Sequence, residues 1–316
     1  MPSYSGVWTL TAQYQAKGAG NWPSSPVAAL LAGGFGTARI NTITSLSIFS
    51  AGTFSTFGQL TQSRNGVAGC ASTTRSVWGG GYLTNYVSTM DYAEFATAGN
   101  ATSFGSLSTA TSGMNGCNST TRGIFAGGGN AGNTSVIYYI TIATTSNTTS
   151  FGVLTTGDSG GMCNGICSSS TRGVFGPRIG PSNVIDYITI ASTGNATSFG
   201  QATVARYGAG SASNATRGLF AGGYTAGPTS SVIDYITIAS TGNATTFGNL
   251  STGYASVSGC ANAIYAIWCG GEDAVGYTNV MSYVTIATTG NAASYGNLSY
   301  IVGGGGATCA ANGGVQ

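Results

Sequence analysis

Seven carboxylates, seven thiols, nine basic side chains and no histidine set the chemistry open to this chain of 316 residues. Without histidine, the commonest general base, proton shuttle and metal ligand is missing. Cys163 and Cys167 stand four apart, but no second cysteine pair follows at metal-ligand spacing. No zinc site, no other metal and no cofactor is therefore expected. Sugar hydrolysis needs only two carboxyl groups, about 5–10 Å apart. Asp91, Asp186 and Asp234 hold one position in separate repeats, so they are not expected to meet on one substrate. That leaves Glu272 with Asp273, or with Asp158, as the pocket pair. The expectation is a protein that is not an enzyme.

Arginine recurs as well. Arg75, Arg122, Arg172 and Arg217 each follow a threonine. They could ring one surface as an anion site. The favoured reading is structural: Arg75 with Asp91, Arg172 with Asp186 and Arg217 with Asp234, set diagonally across antiparallel hairpins.

The elements that would position these groups come from a repeat. "VIDYITIASTGNATSFG" runs from Val184 to Gly200, and "VIDYITIASTGNATTFG" from Val232 to Gly248. The closing aromatic–glycine pair recurs as Phe57-Gly58, Phe104-Gly105, Phe151-Gly152, Phe199-Gly200, Phe247-Gly248 and Tyr295-Gly296, in steps of 47, 47, 48, 48 and 48. A period of this size indicates a propeller or a solenoid. Each copy divides into four short strand-like runs: a small Gly/Cys-rich one, an apolar one ending in glycines ("GLFAGG"), an alternating one ("VIDYITIA") and a short one ("ATSFGQ"). The chain enters this pattern at a second strand ("ALLAGG", Ala29–Gly34) and leaves it at a first strand (Gly304–Gly314). The expected fold is therefore an all-β, six-bladed β-propeller, with four antiparallel strands per blade. Its C-terminal strand would join the N-terminal blade and close the ring. Residues 1–26 would form an arm and residues 27–316 the propeller.

The pattern resembles the kelch repeat. Its marks are a double glycine after an apolar strand (Gly222-Gly223, Gly80-Gly81), an aromatic near the end of the third strand (Tyr235, Tyr92) and an aromatic on the fourth (Phe247, Phe104). This kelch-like form is divergent: Phe or Tyr replaces the family's fourth-strand Trp throughout, and "GVFGPRIG" (Gly173–Gly180) lacks the double glycine. The copper oxidases of kelch fold are excluded, because they need histidine ligands.

Spacing separates two faces. First strand to second-strand aromatic is always eight residues (Cys70 to Trp78, Cys117 to Phe125, Cys167 to Phe175, Ala212 to Phe220, Cys260 to Trp268), and third strand to aromatic–glycine pair is always thirteen. The second-to-third and fourth-to-first connections vary. In a propeller the constant turns share one face and the variable loops the other. Recognition belongs on variable loops held by a rigid scaffold. The candidate ligand-binding residues are thus Tyr82, Asn85, Tyr86, Arg178, Tyr224, Glu272, Asp273 and Tyr277. Tyr with Asn is an adaptable contact set that suits sugar faces. The cysteines Cys70, Cys117, Cys167, Cys260 and Cys309 read as one column of small buried thiols on the first strands.

A net charge of +2 argues against nucleic acid as a partner, which wants a dense basic patch. No run of about 20 apolar residues is present, so no membrane span is expected. Met1–Gly6 lacks the start of a secretory signal. Nine Asn-x-Ser/Thr sequons, Asn195 and Asn243 among them, read as turn chemistry, with glycosylation left open. In the arm, Trp8, Leu10, Tyr14 and Trp22 are candidate partner-docking residues. Stretches of the form "GVWTL…NWP" followed by "TIASTGNAT…FG" resemble appendage, tail-fibre and adhesin proteins of tailed bacteriophages from aquatic habitats. The resemblance implies a virion surface location after assembly in a host cytoplasm. Other virion proteins would then be partners of the arm. A host-surface glycan or protein would be the ligand of the variable face, and a homo-oligomer is allowed. The alternatives are a purely structural virion component, such as a capsid decoration or tail-assembly subunit, and a bacterial surface or secreted adhesion protein.

Overall fold

The computed structural model describes residues 28–48, 54–130, 132, 134–158, 165–178 and 181–310. These residues form six antiparallel sheets of four strands each, and no helix among them is long and apolar enough to cross a membrane. Blade 1 holds Gly306–Cys309, Ala28–Ala32, Thr42–Ser47 and Phe54–Gln59, in that order outward from the axis. Blades 2 to 6 follow as residues 68–106, 115–158, 166–206, 210–249 and 258–297. The protein is a six-bladed β-propeller. Blade 1 draws its first strand from the far end of the sequence: Ala29 pairs with Cys309, Leu30 with Thr308, Leu31 with Ala307 and Ala32 with Gly306. Trp8, Leu10, Tyr14, Trp22 and Cys163 lie outside the described residues, as does the side chain of Asp158.

The repeat follows from how blades face one another. Successive strand residues point to opposite faces. Ile233 and Asp234 are nevertheless both fully buried, because a neighbouring blade covers each face. The cores lie between blades. One cluster joins Leu219, Ile233 and Phe247 of blade 5 to Ala266, Trp268 and Val284 of blade 6. Glycine marks the closest approaches. A Cβ on Gly200 would stand 2.2 Å from the carbonyl oxygen of Gly242 in the next blade's "TGNAT" turn. In return the Gly242 amide donates to Phe199 O (2.9 Å), and Asn243 Oδ1 accepts from the Gln201 amide (3.1 Å). The aromatic–glycine pair and the Gly-Asn turn are thus the two halves of one joint between blades.

The first strands crowd the axis, where a Cβ on Gly116 would meet Gly69 O at 2.1 Å. The thiols fill notches between blades: Cys70 lies against Gly123, Cys117 against Gly173 and Cys167 against Gly218. All six described cysteines are buried. Burial pushes the thiols of Cys70, Cys117 and Cys167 far above their ordinary range. The column assignment needs one correction. Thr308, not Cys309, opposes Leu30 as Cys70 opposes Val77. Its hydroxyl shares a 2.7 Å hydrogen bond with Ser76, which blade 2 carries where blade 3 has Gly123.

The arginine pairings also need correction. Arg75, Arg122, Arg172 and Arg217 do not reach Asp91, Asp186 or Asp234. Each lies over the tyrosine of its own third strand (Tyr92, Tyr139, Tyr187 and Tyr235, 4.3–4.8 Å from the ring centres). Each donates to a carbonyl at the end of the next blade's third strand, as Arg217 does to Ile286 O and Ala287 O. Arg75 adds an ion pair with Glu94. These arginines are clasps between neighbouring blades.

The aspartates take other partners. Asp91 pairs with Arg64 (3.0 Å), Asp186 with Arg178 (2.7 Å) and Asp234 with Arg206 (2.9 Å), all of them buried. Each carboxylate also accepts from a threonine of the preceding blade: Thr61, Thr155 or Thr203. Burial draws Arg64 and Arg206 below the usual arginine range, and the facing aspartates partly restore them. A buried pair adds little net stability, but removing one member strands the other. Blades 1, 3 and 6 carry Thr44, Tyr138 and Ser282 in the aspartate's place, so charge enters this layer only in pairs.

Candidate functional site

The variable loops are zipped together on one face. The residue after each double glycine bridges back to the preceding fourth-to-first loop: Phe35 to Gly303, Tyr82 to Asn65, Gly129 to Ser112, Tyr224 to Tyr207 and Glu272 to Ala255. In four blades it also bridges forward to a residue that closes its own loop: Arg39, Tyr86, Thr229 or Tyr277. Paired backbone on both sides makes these loops an ordered platform, and the double glycine supplies the left-handed turns that start them (Gly80 φ 68°, Gly81 φ 117°).

Side chains on this platform form one band across blades 5, 6, 1 and 2. Tyr207 stacks on Tyr224, with centroids 5.1 Å apart and planes 27° apart. The Tyr224 hydroxyl donates to Glu272 Oε2 at 2.5 Å. Glu272 bridges to Tyr277, whose ring meets Phe35 edge-on at 5.5 Å. Arg39 lies over Phe35 (5.5 Å) and over Tyr82 (4.8 Å), and its Nε donates to Asn65 Oδ1 (2.9 Å). Tyr82 meets Tyr86 edge-on at 5.2 Å. Closing residues therefore reach into the next blade, Tyr277 onto Phe35 and Arg39 onto Tyr82. The band stops after Tyr86, where blade 3 has Gly129. Burial, then the hydrogen bond from Tyr224 to Glu272, pushes the Tyr224 hydroxyl well above the ordinary tyrosine range. Tyr277 moves the same way, through burial and then the Glu272 charge.

Of the residues expected here, Tyr82, Tyr86, Tyr224, Glu272 and Tyr277 come together in this band. Asn85 is exposed in the same loop as Tyr82 and Tyr86. Asp273 instead accepts from the amides of Val275 and Gly276, so it caps its own loop. Arg178 is a correction: it is 2% exposed and held by Asp186, so its charge is not presented to a ligand. Phe35, Arg39, Asn65 and Tyr207 were missed. Only Phe35 carries a positional signal: it follows Gly33-Gly34 as Tyr82 follows Gly80-Gly81 and Tyr224 follows Gly222-Gly223.

The axial cavity beside this face is small, ≈ 90 Å³, and is lined by Val67, Asn115, Val257 and the glycines of the first strands. Sites for small molecules usually enclose about 300–1,000 Å³. On this face a larger ligand would lie across the rim, where the band is; clefts of ≈ 180 and ≈ 210 Å³ also open beside the repeated Gly-Asn turns, at Tyr235 and Tyr187. Among the described residues no group of three His, Cys, Asp or Glu side chains is placed to hold a metal.

The fold and this rim define the chain as a six-bladed β-propeller with an aromatic band on one face. Comparison with protein-family models and with curated proteins finds no match to the chain.

Proposed function

We propose that this chain is a non-enzymatic surface protein of a tailed-phage particle, which binds a host-surface glycan through the aromatic rim of its variable face. Residues 1–26 would attach it to other virion proteins. The observation that carries the binding half is the confinement of the band to four neighbouring blades of one face. The opposite face is built from repeated turns whose arginines and asparagines serve as joints between blades. Ring faces with amide and carboxylate groups between them match the alternating C–H and hydroxyl surface of a sugar. The virion half rests on the likeness of the arm and the "TIASTGNAT" repeats to phage appendage proteins, and we read the repeat as a divergent kelch-like form. A weak single site would gain strength from many copies on one particle.

A glycan array probed with the full chain, Tyr82→Ala and Tyr224→Ala tests this. Capture of glycans by the parent and its loss in both variants is the expected result. Equal capture by all three takes the binding off this rim, and no capture by the parent returns the chain to the structural role of a capsid decoration or tail-assembly subunit.

A further inference from the structure

We propose that the part of the rim around Arg39 selects an acidic saccharide, with the Arg39 guanidinium holding the sugar's anionic group. This inference rests on the rim-binding reading above and narrows its ligand class. Arginine is scarce here, and the other described arginines are committed. Arg64, Arg178 and Arg206 hold buried aspartates, Arg75 holds Glu94, and Arg122, Arg172 and Arg217 hold backbone carbonyls. Arg39 is half-buried and forms no ion pair with a described residue, and only its Nε has a hydrogen-bond partner among them. The acid of the band, Glu272, is engaged by Tyr224 and stands on the far side of Tyr277 and Phe35.

The position is built. Asn65 fixes Nε, and the rings of Phe35 and Tyr82 hold the guanidinium from two blades. A planar fork immobilised in this way is suited to a carboxylate or sulfate, which takes two parallel N–H donors. On the edge of Tyr82, Tyr86 is 38% exposed and offers a ring to a sugar face. That flat apolar surface next to a lone cation favours a charged sugar over an acidic peptide.

The test is titration calorimetry of the full chain with a galacturonic acid hexasaccharide, the same hexasaccharide as its methyl ester, and a hexaglutamate peptide. The acid form should bind at least about tenfold tighter than the ester, the scale of one charge-assisted hydrogen bond. Arg39→Gln should erase that difference, so that acid and ester bind alike. Arg39→Lys, which keeps the charge and loses the fork, should retain part of it, and both variants should melt close to the parent. Equal binding of acid and ester overturns the proposal. If Tyr82→Ala then weakens both, the rim reading survives alone. Equal binding of the peptide overturns the saccharide assignment. If neither hexasaccharide binds, the proposal falls, and the rim reading is left to the array of neutral glycans.

Discussion

Arg178 and Asp186 meet at 2.7 Å in blade 4, in the slot that Arg64 fills beside Asp91 and Arg206 beside Asp234. The arginine arrives by a different route. Arg64 comes from the loop before its blade's first strand and Arg206 from the last position of the preceding blade's fourth strand, and their Cδ atoms lie 3.3 Å from where a Cβ would stand on Gly81 and Gly223. Arg178 occupies the position of those glycines. Blade 4 thus lacks the double glycine because it places the same cation from the other side of the gap.

The pairing predicts strong non-additivity. Arg206→Ala should cost about 3–5 kcal/mol, because Asp234 is left buried and uncompensated. The double variant Arg206→Tyr with Asp234→Ser copies Tyr254 and Ser282 of blade 6 and should cost much less. Urea unfolding of the parent, the single and the double variant measures this. A double variant as unstable as the single contradicts the account.

The joint between blades predicts opposite outcomes at two glycines that touch. Gly200→Ala must displace the Gly242 carbonyl and should cost about 1–3 kcal/mol. Gly242→Ala meets nothing within 4 Å and should change stability by less than about 0.5 kcal/mol. Thermal melting of the two variants separates them.

Alkali should weaken the fold before it affects most side chains. Thiols buried in the folded state hold their protons, whereas in the unfolded chain they ionise near pH 8.5. The folded state then binds more protons, so stability is whole below that pH and falls as pH rises through it. Each such thiol contributes a slope of up to about 1.4 kcal/mol per pH unit. Tyr295, pushed up to about 12 by burial and by Cys260 and Cys269 nearby, adds a further loss above the ordinary tyrosine range. Denaturant midpoints between pH 7 and 10 should decline in the parent and decline less steeply in Cys117→Ala.

Much of this was legible in the sequence because it repeats. A joint such as Gly200 on Gly242 recurs in nearly every blade, so its residues keep fixed spacing. The charge pairing was hidden for the opposite reason. Arg64 lies 27 residues before Asp91, Arg206 lies 28 before Asp234, and Arg178 lies eight before Asp186. No constant interval links them, while the Thr-Arg column, always three residues before the second-strand aromatic, offered a false partner. The aromatic band was half visible. Tyr82 and Tyr224 stood out as loop residues, but contact between blades, such as Arg39 over Tyr82, depends on ring geometry that spacing along one chain does not encode.

The most direct measurement asks whether the variable rim carries the host binding proposed above. A bulky maleimide label placed on Asn85→Cys would sit at the variable rim, and one on Thr193→Cys would sit on the repeated turns of the opposite face; both positions are exposed. Binding of each labelled chain to host-cell surfaces should be abolished at position 85 and unchanged at position 193. Retained binding with position 85 labelled, or loss only with position 193 labelled, would contradict a rim that recognises the host.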